Sequence, residues 1–201
     1  MPAAPSAPGG LVDAGELRAA GTGGAPVPTL VIGCGNLLRG DDAVGPVLVR
    51  HLAALGVPAH VRLADGGTAG LDVAFAMRGR DLVVIVDATT GSGHPPGTVF
   101  RVPGDRLEQL PPPTGINLHA FRWDSALAFG RWLLKDEYPG EVVVWLVEAE
   151  SLHHGDPLSP AVEAAMRDLA DRLLTELASG PPSVPPSVPP SVDPAPEEGP
   201  R

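Results

Sequence analysis

The sequence predicts a single α/β domain, a mostly parallel twisted sheet with helices on both faces. Three observations carry that expectation. Between Pro28 and Ser179, strand-like apolar runs alternate with segments whose apolar residues recur at helical spacing. Several of the strand runs are continuously apolar, as strands covered on both sides must be. The polar residues with chemical potential follow Ile32, Ala64, Val86 and Val147, the carboxyl ends of those runs. Parallel sheets bind ligands at that edge.

The elements follow in order. Thr29 to Gly33 (TLVIG) is a short apolar run ending in glycine, a buried strand. Ala43 to Leu55 places Val47, Leu48, Leu52 and Leu55 on one side of a helix, and Gly56 closes it. Ala59 to Ala64 (AHVRLA) alternates and reads as a second strand, and Leu71 to Met77 as a helix. Leu82 to Val86 (LVVIV) is rich in β-branched residues and reads as a central strand. Thr98 to Val102 suits a strand, Ser125 to Leu134 a helix, and Val142 to Val147 (VVVWLV) a further buried strand. Ser159 is placed as an N-cap with Pro160 at the first helical position, opening a helix to about Leu177.

The 201 residues suit one domain with tails. Residues 1–27, rich in Ala, Gly and Pro, are expected to form a flexible extension, and 28–179 the folded domain. In 180–201, PPSVPPSVPPSV repeats one tetrapeptide three times. Proline lacks the N–H that helices and ladders require, so an extended, disordered tail is expected. That tail is either a passive spacer or a docking segment for a proline-binding partner.

Composition narrows the function. The formal net charge of −10 repels polyanions, which excludes nucleic acid as the expected partner. Cys34 is the only cysteine, so no disulfide can form within the chain, which fits a reducing compartment. The N-terminal stretch has no basic start followed by an apolar run, and no run of roughly 18 apolar residues exists. The expectation is a cytoplasmic monomer without a membrane partner.

The segment from Gly33 to Gly45, GCGNLLRGDDAVG, joins the first strand to the first helix. It is not a dinucleotide loop, which would need glycine at Leu38, nor a P-loop, which would need Gly-Lys-Ser/Thr. Two acids stand where a phosphate would sit. The positive end of the helix favours an acid there, and one side chain suffices for a cap. The expectation is that Asp41 caps and Asp42 points into the cleft. Asp87, directly after LVVIV, stands where function concentrates in parallel sheets, with a buried turn cap as its structural alternative. Asp65, Gly66, Gly67 and Thr68 read either as a backbone surface for an extended peptide or as a turn that caps the next helix.

Of the six histidines, pattern alone selects none; His119 sits in INLHAF just before a helix. Two carboxylates and one imidazole are a plausible ligand set for a divalent ion such as nickel or zinc, with positions left open. No HExxH motif is present. No Ser–His–Asp or Cys–His pair can be argued from spacing, so Cys34 is read as a packing residue.

Together these segments resemble the hydrogenase maturation endopeptidases. The resemblance rests on VIGCGNLLRGDDAVG (Val31 to Gly45), DGGTAG (Asp65 to Gly70), VVIVDAT (Val83 to Thr89), LHAF (Leu118 to Phe121) and VEAESL (Val147 to Leu152) followed by LSPAVEAAM. It covers roughly Pro28 to Leu177. It implies a peptidase that trims the C-terminal extension of a nickel-loaded [NiFe] hydrogenase large-subunit precursor. It also implies Asp42 and Asp87 as catalytic residues, with Asp42, Asp87 and His119 contacting the metal. Asp65, Gly66, Gly67 and Thr68 are implied to recognise substrate. Nickel is expected to arrive with the substrate, with no resident cofactor. Asp42 stands where some members carry Glu, and the segment before His119 is unusually proline-rich, with Pro111 to Pro113. A small-molecule hydrolase or phosphorylase on a similar sheet, and a non-enzymatic nickel-sensing chaperone, are the competing expectations.

Overall fold

A computed structural model describes residues 11–13, 28–68, 70–108 and 123–179. The tail at 180–201 and most of the stretch 1–27 lie outside the described residues.

One sheet is built from β1 (Leu11–Asp13), β2 (Thr29–Cys34), β3 (Val61–Gly67), β4 (Leu82–Thr89), β5 (Val99–Pro103) and β6 (Glu141–Glu148). The strand order is β1-β3-β2-β4-β6-β5. All neighbours run parallel except β5, which pairs antiparallel with β6 at one edge. The opposite edge holds a correction. Leu11–Asp13, inside the stretch expected to be a flexible extension, pairs with Leu63, Ala64 and Asp65 of β3. Three residues carry too short a pattern for periodicity to reveal, and pairing with an existing edge supplies the missing order.

The helices are α1 (Val44–Leu55), α2 (Gly70–Ala76), α3 (Gly104–Glu108), α4 (Trp123–Leu134) and α5 (Pro160–Ala178). A 3-10 turn, Gly40–Ala43, leads into α1. Successive strand residues point to opposite faces, which explains why the strands are apolar throughout. Val31, Val84, Val86, Trp145 and Val147 pack with Leu48 and Leu52 of α1 and with Leu169 and Leu173 of α5. Leu30, Ile32, Ile85 and Val144 pack on the other side with Val73 and Ala76 of α2 and Leu127 of α4. Each such fully buried aliphatic side chain contributes about 1.5–3 kcal/mol. Gly56 ends α1 as expected: it takes φ +88 and donates its N–H to the Leu52 carbonyl at 2.9 Å.

Two strands run further than their apolar runs suggest. β3 continues to Gly67 and β4 to Thr89, so Asp65 and Asp87 are strand residues. The chain leaves β2 toward β3 on one side, and leaves β4 toward β6 on the other. The adjacent carboxyl ends of β2 and β4 therefore form the topological switch point, where open α/β sheets have their crevice. Among the described residues, no helix is long and apolar enough to cross a membrane.

Candidate active site

A cavity of about 230 Å³ opens at that switch point, lined by Cys34, Gly35, Arg39, Asp42, Gly67, Thr68 and Asp87 among others. Glycines make it possible. A Cβ on Gly33 would lie 2.1 Å from the Gly45 carbonyl oxygen. A Cβ on Gly45 would lie 2.3 Å from the Cys34 carbonyl oxygen and 2.4 Å from that of Val86. The start of α1 thus abuts the strand ends backbone to backbone, which brings the turn just before it, with Asp41 and Asp42, to the crevice.

Gly35 is the tightest point. It adopts φ +126, and a Cβ would sit 1.8 Å from the Asp42 carbonyl oxygen and 3.3 Å from Asp87 Oδ1. Gly35→Ala therefore combines backbone strain with a clash that only movement of the Asp42 main chain relieves. The expected result is a loss of about 2–4 kcal/mol of stability together with loss of activity, read by thermal denaturation and turnover. A variant with unchanged melting temperature and turnover would refute this account of the loop.

Asp42 is half-buried, and its Oδ2 accepts the Asn36 N–H at 3.1 Å. Oδ1 has no hydrogen-bond partner among the described residues. Asp87 is 2% exposed, and its Oδ1 accepts the Ala88 N–H at 2.8 Å. The structure brings these two acids to one small cavity. Neighbouring carboxylates repel unless a cation lies between them, and hard oxygen donors suit a divalent ion. His119 lies outside the described residues. The described residues contain no cluster of three or more His, Cys, Asp or Glu able to hold a metal. None of the five described histidines lines the cavity.

Asp41 differs from its sequence expectation in what it caps. It makes no side-chain cap bond to its own helix. Fully buried, it accepts four hydrogen bonds from the loop after β6 and the start of α5. Oδ2 receives the N–H groups of Glu150 (2.8 Å) and Ser151 (3.1 Å) and the Ser159 hydroxyl (3.0 Å). Oδ1 receives the Ser159 N–H at 2.6 Å. Ser159 does occupy the N-cap position of α5, with Pro160 after it, but its hydroxyl goes to Asp41 instead of capping.

The Asp65 to Thr68 group divides. Gly67 and Thr68 line the cavity, whereas Asp65 turns to Arg50 of α1 at 3.1 Å and accepts the Gly67 N–H at 3.1 Å. Gly66 is packing: a Cβ there would meet Ile32 at 2.7 Å and Cys34 Sγ at 3.2 Å. β3 continues through Gly67, so Asp65 is a strand residue that Arg50 of α1 approaches.

Glu148 escapes sequence reasoning. At 6% exposed, it ends β6 beside β4, with Oε1 accepting the Gly91 (2.9 Å) and Ser92 (3.3 Å) N–H groups. It holds the loop that follows β4. Its signal was the one that selected Asp87, an acid closing an apolar strand.

The hydrogenase maturation protease family profile (HycI) matches residues 46–176. The Hydrogenase 2 maturation protease of Escherichia coli (strain K12) is 30% identical over 149 residues, which cover 74% of this chain and 89% of the relative. The hydrogenase expression/formation protein HupD of Thiocapsa roseopersicina is 31% identical over 151 residues, 70% of this chain and 67% of HupD. Among solved structures, the hydrogenase maturating endopeptidase HybD from E. coli superposes with a TM-score of 0.64 at 30% identity, covering 75% of this chain and 92% of HybD.

Proposed function

The chain belongs to the hydrogenase maturation protease family, and from that membership we propose that it removes the C-terminal extension of a nickel-loaded [NiFe] hydrogenase large-subunit precursor. It is a peptidase. The observation that carries the reading is the convergence of Asp42 and Asp87 on one cavity at the switch point. The small-molecule hydrolase and the nickel-sensing chaperone have no comparable observation of their own.

In this proposal the metal is part of the substrate, and the enzyme keeps no resident cofactor. Asp42 and Asp87 offer oxygen donors to the nickel of a loaded precursor, and His119 completes the set. A nickel-free precursor lacks that anchor and leaves the two carboxylates of the cavity without a cation, which disfavours the wrong substrate. Gly67 and Thr68, at the end of β3, offer backbone to an extended peptide. The peptide bond then opens either through a carbonyl polarised by that metal or through water that gives its proton to one of the two carboxylates. Asp87 holds its place against Gly35. The protein acts as a cytoplasmic monomer, with the precursor as its partner.

The test weighs the products when purified protein meets a nickel-loaded precursor and the same precursor without nickel. Loss of a C-terminal peptide from the loaded form alone is expected. Equal cleavage of both would remove the metal check, and cleavage of neither would sink the peptidase assignment for that partner.

A further inference from the structure

We propose that Arg39 is a specificity-determining residue that binds a carboxylate of the substrate's C-terminal extension at the mouth of the cavity, an inference that rests on the peptidase reading above. Arg39 lines the cavity, and its side chain is exposed. Its guanidinium makes no ion pair or hydrogen bond among the described residues, although the chain carries 24 acids against 14 lysines and arginines. Arg50, Arg78, Arg167 and Arg172, by contrast, each meet a carboxylate within 3.1 Å.

The backbone beneath Arg39 is held in place. Its N–H donates to the Asn36 carbonyl at 3.0 Å, and its carbonyl accepts the Asp42 N–H at 3.0 Å. On one side the Leu38 carbonyl accepts the Gly155 N–H at 2.9 Å. On the other, Gly40 adopts φ +52 so close to the Ser151 carbonyl oxygen that a Cβ would lie 2.6 Å from it. Asp42 does not absorb the cation: among the described residues no ion pair joins it to Arg39, and its Oδ2 is turned to the Asn36 N–H. A cation on a fixed base therefore stands at the rim of a site whose two acids repel an acidic peptide.

A guanidinium fork matches a carboxylate in two parallel hydrogen bonds. In a polypeptide substrate that group is an Asp or Glu side chain or the terminal carboxylate. Leu37 and Leu38, the two residues before Arg39, are 39% and 61% exposed, so the same loop presents apolar surface to solvent. The loop thus fits an extended segment that combines an acid with an apolar neighbour. Anchored backbone lowers the ordering cost of such a contact.

The experiment measures kcat and KM on the nickel-loaded precursor for the wild type, Arg39→Lys, Arg39→Gln and Arg39→Glu, at low and high salt. Arg39→Gln is expected to raise KM about 5-fold and Arg39→Glu more, with kcat within about 2-fold. Arg39→Lys should recover part of the loss, and salt should shrink the difference. The same series on precursors with neutral extension side chains, or with the terminus moved by added residues, shows which carboxylate is bound. The KM difference should vanish with the correct one removed. An unchanged KM in Arg39→Glu, in a preparation whose wild type cleaves, overturns the contact and leaves the peptidase reading standing. A KM difference that survives removal of every carboxylate in the extension overturns it too. Failure of the wild type to cleave any loaded precursor would sink both.

Discussion

Asp42→Asn and Asp87→Asn should each lower processing of the loaded precursor by at least about 100-fold while leaving the fold intact. Asparagine keeps the shape and one carbonyl oxygen. In Asp42→Asn that oxygen can still accept the Asn36 N–H, and in Asp87→Asn it can still accept the Ala88 N–H. The anionic oxygens that would contact the substrate's metal, or take a proton from water, are lost. Neither position carries the apolar packing: Asp42 is half-buried, and Asp87 lies in a strand that Val83 to Val86 already anchor. Circular dichroism and melting temperature would confirm folding, and mass spectrometry of the precursor would report processing. Normal processing by both variants would remove these acids from the mechanism.

Asp41→Ala should do the opposite: the protein loses stability first and activity as a consequence. The substitution strips a buried acceptor from three backbone N–H groups and one hydroxyl. Leaving such donors unpaired costs about 1–3 kcal/mol each where water cannot reach them, and partial relaxation brings the expected total to about 3–5 kcal/mol. For a domain of this size the melting temperature should fall by about 10 °C. Asp41→Asn should be milder, because it retains an acceptor but turns a competing NH2 group toward the donors. A drop under about 2 °C in Asp41→Ala would show that the loop after β6 does not depend on this carboxylate. Adjacent acids with opposite mutational signatures are a sharp test of the site, and of the expectation that Asp41 has a structural part and Asp42 faces the cleft.

Much of this architecture is legible in the residues because periodicity is local. LVVIV reads as a strand buried on both faces, and β4 is one. The apolar spacing from Val44 to Leu55 and the glycine after it specify α1 and its end, since a left-handed C-cap needs no tertiary partner. The crevice was readable for a related reason: strand–helix alternation implies a parallel sheet, and such a sheet places its carboxyl ends together. That reasoning singled out Asp42 and Asp87, and the structure sets them in one cavity.

Tertiary structure alone decided the division of labour. Whether Asp41 or Asp42 faced the cleft depended on a loop more than 100 residues away in sequence, whose N–H groups claim Asp41. Asp65 was separated from Gly67 and Thr68 because Arg50 approaches it from α1, a partner 15 positions earlier. β1 became a strand only because β3 offered an edge, and Glu148 acquired its role from loop amides 56 and 57 residues before it. Elements follow from patterns of neighbours along the chain. The fate of a single polar group follows from which donors the fold carries to it once water has been excluded.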